Sequence, residues 1–212
     1  MLCKDNYNFY YSANPKNIES DYQEASNFIK YHFENSDNYD EEVIEAIKYY
    51  TGKEYRKLNQ KLRENKCLND KQLKNCQILI NAISKSETIE NFIVFRGVVL
   101  SKKEMKKMNL LTKRNKINNG GTYIEKGFSS TSLNKSVAKH FVENKINKIP
   151  NILKRRKKVI FIIRIAKGKA ILPIANDSLY SKEKEFLLSC NSSFKILGGK
   201  IKRNSYHFVL EV

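Results

Sequence analysis

The chain has 212 residues, of which 40 are Lys or Arg and 22 are Asp or Glu, so its formal net charge at pH 7 is +18. Hydrophobic residues make up 41% of the chain, against only 8 Gly and 3 Pro, which excludes a disordered or collagen-like protein. No apolar run reaches the roughly 18 residues of a transmembrane helix, and the length fits a single domain, expected over residues 1–212.

Residues 1–90 are predicted to be mainly helical, because apolar side chains recur there at helical spacing in four segments. The predicted helices are Asp21–Phe33, a helix capped by Asp40 and ended by Gly52, one that contains Tyr55, Leu58 and Leu62, and one that starts at Asn69 or Asp70 and contains Leu79 and Ile83. The apolar stripe of the second helix includes Ile47 and Tyr50.

Residues 91–212 are predicted to be mainly β. The predicted strands are Asn91–Leu100, Gly127–Ser132, Val159–Ala166, Lys169–Leu172, Glu185–Cys190, Ser193–Leu197 and Tyr206–Val212, with one helix at Lys135–Asn144. Helices followed by strands predict an α+β fold with an antiparallel core rather than alternating βαβ units. The Gly-Gly pairs at 120–121 and 198–199 do not form a dinucleotide-binding fingerprint, and there is no P-loop.

The positive charge is unevenly distributed. Lys16–Tyr50 contains nine acidic and three basic residues, whereas Lys145–Lys158 contains seven basic residues and no acidic one. Such a basic region attracts nucleic acid, an anionic membrane or a phosphate-bearing ligand, and it also fits a solvated loop. The four cysteines form no C-x-x-C pair, so we expect neither a disulfide nor a metal site. The first residues lack the apolar core of a signal peptide, so we expect none in the chain as given.

Arg96 lies among aliphatic residues on a predicted strand. Strand alternation places it on the same face as Phe92, Val94 and Val98. A buried guanidinium needs an anionic partner, because an uncompensated charge is costly to bury. That partner is either an internal Asp or Glu, or a bound phosphate, whose oxygens suit the planar fork of Arg.

Two further segments place polar groups where a buried strand should be apolar. Ser130, Thr131 and Ser132 are small hydroxyl residues that leave space around a strand. Glu183 and Glu185 are two residues apart, which puts both on one side of an extended chain. Two carboxylates that face the same way repel each other, so one pKa should rise. Such a pair suits chemistry at a sugar anomeric carbon, where an oxocarbenium-like cation develops.

Together these segments resemble the Arg-Ser-Glu class of bacterial mono-ADP-ribosyltransferase toxins, which includes the clostridial Rho-modifying exoenzymes and the enzymatic components of iota-type binary toxins. The matching segments are the helical pattern Tyr50, Tyr55, Asn59 and Arg63, then Phe95-Arg96-Gly97, Phe128–Leu133, Ile165–Ala170 and Glu183–Leu188. The resemblance spans residues 18–212. It implies N-terminal helices packed on two antiparallel β-sheets that form a split NAD-binding cleft.

The resemblance also implies roles for individual residues, with NAD as co-substrate and no metal. Arg96 would hold a phosphate of NAD, and Gly97, which lacks a side chain, would let its backbone approach the nicotinamide amide. Glu185 would hydrogen-bond the nicotinamide ribose and stabilise the oxocarbenium cation as nicotinamide leaves, oriented by Ser130. The other expected NAD contacts are Tyr50, Tyr55, Asn59, Thr131, Ser132, Phe141, Arg155 and Arg156. For the two tyrosines and Phe141, packing in the protein core is the alternative.

Three positions bear on the second phosphate contact and on the acceptor. Asn144 stands where the family carries a second phosphate-binding Arg, and the basic run after it makes Arg156, or else Arg155, the expected replacement. Glu183 matches the residue that accompanies transfer to arginine, since a carboxylate can pair with a guanidinium and help remove its proton. Tyr180 matches the aromatic residue that contacts the target protein.

The resemblance predicts a monomeric toxin or effector that transfers ADP-ribose from NAD to an arginine of a target protein, with NAD glycohydrolase side activity. It would be secreted or injected and act in the target-cell cytosol. Actin and a Rho-type GTPase are both candidate targets, and no stable nucleic-acid or membrane partner is predicted. The alternatives are an ADP-ribosyltransferase that acts on nucleic acid, a non-catalytic basic nucleic-acid-binding module and a glycoside hydrolase.

Overall fold

The protein is described from a computed structural model, which covers residues 39–89, 91–116, 121–148, 156–174, 184–202 and 205–212. Its helices are α1 Glu41–Thr51, α2 Tyr55–Arg63, α3 Asp70–Lys85, α4 Lys102–Lys116 and α5 Lys135–Asn147. Its strands are β1 Phe92–Leu100, β2 Thr122–Glu125, β3 Ser129–Ser132, β4 Lys157–Ile165, β5 Leu172–Pro173, β6 Glu185–Leu188, β7 Ser192–Lys202 and β8 Ser205–Glu211. The helix predicted at Asp21–Phe33 lies outside the described residues.

The predicted helices α1, α2 and α3 are confirmed and support one end of the sheet. A capping box starts α3, in which the Asn69 side chain accepts from the Gln72 amide at 2.9 Å and the Gln72 side chain accepts from the Asn69 amide at 3.3 Å. The buried side chains of the three helices form one apolar cluster with Phe128, which directly precedes β3, and with the sheet residues Leu172 and Leu187. The helices therefore pack against β5, β6 and the start of β3.

The strands form one sheet in the order β2-β7-β8-β4-β1-β3-β6-β5, and the α+β prediction is confirmed. All described pairs are antiparallel except β4 and β8, which are parallel. The expectation of two separate antiparallel sheets differs from this arrangement, because β1 and β3 join them through the single pair Phe95 and Ser132. Next to this pair, a side chain rather than the β1 backbone bridges the strands: Arg96 Nη1 donates to the Ser130 carbonyl at 2.8 Å.

Two elements, α4 and β2, were not predicted from the sequence. Seven of the 15 residues of α4 are basic, so its apolar face is narrow; Met105, Met108 and Leu111 form that face and are buried against the sheet. Strand β2 has only four residues, and just one of them, Glu125, is buried. The strand predicted at Lys169–Leu172 is reduced to an isolated bridge at Ala170 and the two residues of β5.

Helix α5 crosses the sheet directly over Gly97. A Cβ added there would collide with the carbonyl oxygen of Ala138 and lie 2.6 Å from Val142 Cγ2. The packing of α5 is therefore a structural reason for a glycine at position 97, and the expected approach of the Gly97 backbone to nicotinamide stays a prediction. We expect Gly97→Ala to lower the free energy of unfolding by about 1–3 kcal/mol, since overpacking forces α5 away from β1. Urea unfolding measures this, and an unchanged midpoint would show that α5 is not held against Gly97.

Candidate active site

The three polar segments singled out in the sequence meet at the junction of β1, β3 and β6. Ser132 is the register partner of Phe95 on β1 and of Glu185 on β6. Arg96, next to Phe95, is bonded to the Ser130 carbonyl at 2.8 Å. The structure thus brings Arg96, Ser130 and Glu185 to neighbouring positions on adjacent strands, although they are far apart in the chain.

Tyr50 connects the helices to this junction. Its hydroxyl lies 3.3 Å from Ser130 Oγ and accepts a hydrogen bond from Asn59 Nδ2 at 3.0 Å. The other end of the Asn59 amide accepts from the Phe128 backbone amide at 2.8 Å. Burial raises the pKa of the Tyr50 phenol above 10.0, and the charge of Glu185 adds to this, while Arg96 and the two hydrogen bonds oppose it. The phenol is therefore neutral and lies within electrostatic reach of both charged groups.

Tyr50 and Asn59 are buried beneath the surface of the site and do not line it. Tyr50 is only 1% exposed and Asn59 only 2% exposed. This placement favours the packing alternative for Tyr50 and does not favour the direct NAD contacts expected for these two residues. Tyr55 is half-buried, and its ring meets that of Tyr50 edge-on with centroids 6.2 Å apart.

Arg96 has an internal anionic partner, Glu125, which the sequence left unidentified. Arg96 Nη2 lies 3.9 Å from Glu125 Oε2, and Arg63 Nε donates to Glu125 Oε1 at 2.8 Å. The Arg96 side chain is 12% exposed, and its buried Nε has no hydrogen-bond partner among the described residues. Both alternatives for Arg96 are therefore compatible, because a loose ion pair to Glu125 leaves a buried donor that fits a phosphate oxygen.

Arg96 is one of four arginines whose charges act on Lys145, and we call these five cations the basic cluster: Arg56, Arg63, Arg96, Lys145 and Arg156. Loss of hydration around the Lys145 ammonium, and then repulsion by the other four, lower the pKa of Lys145 below 10.5. The cluster includes the predicted Arg156. Lys145 was missed, although it directly follows Asn144, where the family pattern has its second Arg. Its position beside Asn144 on α5 was the signal that could have found it.

Phe141 lies on α5 one turn before Lys145. Phe141 is 39% exposed, and the Lys145 ammonium lies 5.6 Å from the centroid of its ring. An aromatic ring this exposed is not a core residue, so the packing alternative for Phe141 is wrong. The ring is available to stack on a planar ligand beside the basic cluster.

The hydroxyl groups of Thr131 and Ser132 on β3 are engaged within the protein. Thr131 Oγ1 donates to the Phe186 carbonyl at 3.0 Å, which ties β3 to β6. Ser132 Oγ accepts from the Asn134 amide at 3.0 Å, just before α5 begins. Both residues are buried, so they maintain the shape of the junction rather than presenting a hydroxyl to solvent.

The residue before Glu185 has an unusual backbone conformation. Lys184 has a φ of 45°, a left-handed conformation that is strained for a residue with a side chain. Glu183 lies outside the described residues, so the expectation that Glu183 and Glu185 share one side of the chain stays a prediction. Glu185 itself begins β6 and is buried. Tyr180, Glu183 and Arg155 lie outside the described residues.

A family model for ADP-ribosyltransferase exoenzymes matches residues 25–210 of this chain. The chain belongs to the ADP-ribosyltransferase exoenzyme family. Vis of Vibrio splendidus, whose name places it among the NAD(+)–arginine ADP-ribosyltransferases, is 38% identical over 106 residues, which are 50% of this chain and 38% of Vis. The NAD(+)–arginine ADP-ribosyltransferase EFV of Enterococcus faecalis is 31% identical over 160 residues, which are 73% of this chain and 28% of EFV. The chain thus spans well under half the length of these curated relatives.

The fold of this exoenzyme-family member also matches solved structures. The structure of C3stau2 from S. aureus with NAD has a TM-score of 0.61 to this chain at 20% identity and covers 90% of this chain and 94% of that one. At this level of identity the match establishes the fold alone.

The described parts of the chain hold no group of three or more His, Cys, Asp and Glu side chains that could bind a metal ion. The helices of those parts are too short and too polar to cross a membrane. Cys67, Cys76 and Cys190 are free thiols, and Cys3 lies outside the described residues.

Proposed function

We propose that this exoenzyme-family member is a mono-ADP-ribosyltransferase that transfers ADP-ribose from NAD to an arginine of a target protein. The observation that carries the proposal is the junction of β1, β3 and β6, where a buried Arg96 donor without a described partner lies close to Glu185 and the basic cluster. The names of Vis and EFV support arginine as the acceptor.

The basic cluster is the place for the diphosphate of NAD. Arg96 already has one donor engaged with the Ser130 carbonyl, so its orientation is set before a phosphate arrives. Lys145 loses hydration and is repelled by neighbouring cations, and a phosphate would relieve that repulsion. Lys145 and Arg156 together would take the role of the arginine that Asn144 replaces.

Glu185 is the group that stabilises the transition state. When the bond between the nicotinamide nitrogen and the ribose C1′ breaks, the electron pair leaves with nicotinamide and positive charge develops on the ribose. A buried carboxylate fixed at the start of β6 stabilises that charge without having to reorganise. Phe141, exposed beside the cluster, would stack on the nicotinamide ring.

Glu183 would then act on the acceptor. A guanidinium nitrogen of the target arginine forms the new bond to C1′, and its proton passes to the Glu183 carboxylate. Tyr180 would contact the target protein. Actin and a Rho-type GTPase remain the candidate targets, and we place the reaction in the cytosol of the target cell.

The acceptor is tested with agmatine, a small guanidine with which a structure of Vis has been solved. We expect Glu183→Gln to reduce ADP-ribose transfer to agmatine by about 10²–10⁴-fold, because the amide cannot take the guanidinium proton. Nicotinamide release into water should persist in this variant. Labelled NAD and agmatine, separated by chromatography, give both rates from one reaction mixture.

Three outcomes of this experiment would contradict the proposal in different ways. Transfer to agmatine that survives in Glu183→Gln would remove Glu183 from the acceptor step. Wild-type protein that releases nicotinamide but modifies neither agmatine nor proteins in a eukaryotic lysate would point to another acceptor, such as nucleic acid. Wild-type protein with neither activity would favour the non-catalytic binding module.

A further inference from the structure

Glu125 is a buried carboxylate that the proposed reaction does not use directly. It accepts hydrogen bonds from Arg63 Nε at 2.8 Å and from the Gly127 amide at 3.0 Å on one oxygen, and from the Tyr123 hydroxyl at 3.2 Å on the other. It is 6% exposed. Three donors from α2, β2 and the turn after β2 therefore fix the carboxylate in one orientation.

The carboxylate is ionised in spite of its burial. Burial alone would raise the pKa of Glu125, but the charge of Arg96, then that of Arg63, and the hydrogen bonds from Arg63 and Gly127 outweigh it, so the pKa lies below 4.5. Glu125 thus carries a full negative charge at neutral pH between two cations of the basic cluster.

The two cations are held differently. Arg63 forms a direct hydrogen bond at 2.8 Å, whereas Arg96 Nη2 stays 3.9 Å from the nearer oxygen. Coulomb attraction falls only slowly over this range, while a hydrogen bond is lost beyond about 3.5 Å. Glu125 therefore attracts the Arg96 guanidinium without using its donors, and the Ser130 carbonyl takes only one of them.

We propose that Glu125 is a positioning residue for NAD binding: it holds Arg96 at the β1–β3 junction against the repulsion of Arg63 and Lys145, and leaves the donors of Arg96 free for a phosphate. This inference rests on the proposed function, in which Arg96 binds a phosphate of NAD. The opposite role, in which Glu125 competes with the phosphate, is disfavoured because the 3.9 Å between Arg96 Nη2 and Glu125 Oε2 leaves the Arg96 donors unbonded to the carboxylate.

The test is the variant Glu125→Gln, which keeps the shape and removes the charge. Without the charge, Arg96 and Arg63 repel each other and Arg96 moves from its place. We expect the Kd and KM for NAD to rise about tenfold, within the range measured for charged groups in contact, with a smaller change in kcat at saturating NAD. Calorimetry with NAD gives Kd, and nicotinamide release gives KM and kcat.

Two further variants show whether the effect of Glu125→Gln on NAD binding is specific to the charge of Glu125. Glu211→Gln breaks the pair of Glu211 with Arg164, which has the same 3.9 Å spacing but whose side chains are 37% and 39% exposed, and it should leave Kd and KM unchanged. Glu125→Asp keeps the charge but withdraws it by one methylene, so Kd should fall between those of wild type and Glu125→Gln. This variant also serves if Glu125→Gln does not fold.

The outcomes separate this inference from the proposed function. A wild-type protein that binds NAD, together with Glu125 variants of unchanged Kd and lowered melting temperature, would show a purely structural role and overturn the inference alone. Tighter NAD binding by Glu125→Gln would show competition and overturn it as well. A wild-type protein that does not bind NAD would overturn the proposed function and this inference with it.

Discussion

Glu185→Gln is expected to reduce kcat for both ADP-ribose transfer and nicotinamide release by about 10²–10³-fold, the usual effect of removing one preorganised group that stabilises a transition-state charge. The amide has almost the same shape as the carboxylate but no negative charge to offer the developing cation. Because the two activities share the step that breaks the nicotinamide bond, both should fall together. This distinguishes Glu185 from Glu183, whose loss should affect transfer alone.

The measurement is nicotinamide release and agmatine labelling at saturating NAD. Glu64→Gln is a suitable control, because Glu64 lies on the surface at the end of α2, paired with Lys66. Circular dichroism should show that both variants are folded. If Glu185→Gln retained wild-type kcat, the assignment of the charge-stabilising residue would be wrong.

Arg96→Lys is expected to weaken NAD binding by about 10–100-fold, equivalent to about 1.5–3 kcal/mol for a hydrogen bond to a charged group. Lys keeps the positive charge, but its single ammonium lacks the planar fork. A Lys ammonium cannot donate to the Ser130 carbonyl, remain near Glu125 and also replace the buried donor that Arg96 has at Nε. The loss should therefore appear mainly in KM and in Kd for NAD.

The matched control for this variant is Arg164→Lys. Arg164 lies on β4 and pairs with Glu211 at the surface, so the same chemical change there should leave KM for NAD at its wild-type value. An Arg96→Lys protein with wild-type KM would show that a positive charge suffices and that the orientation of the fork has no function.

Periodicity predicted the elements whose one face is apolar. Helices α1, α2 and α3 and strands β1 and β4 have runs of hydrophobic residues at the spacing of their secondary structure, and this signal is local. Helix α4 was not predicted because lysines dominate its sequence. Strand β2 was not predicted because it is short and mostly exposed. Both are held by packing and pairing with β7, which is distant in the chain.

The sequence by itself identified Arg96, Ser130 and Glu185 as candidate site residues, because polar side chains within apolar strands indicate a functional site even when their contacts are unknown. Only the tertiary structure decided what surrounds them. Glu125 lies on β2 and Lys145 on α5, and both act on the charged groups of the site. Their proximity to the site is determined by long-range packing, which produces no periodic pattern in the sequence. The φ of 45° at Lys184 is likewise imposed by the fold, because a residue with a side chain adopts that conformation only where its surroundings compensate the strain.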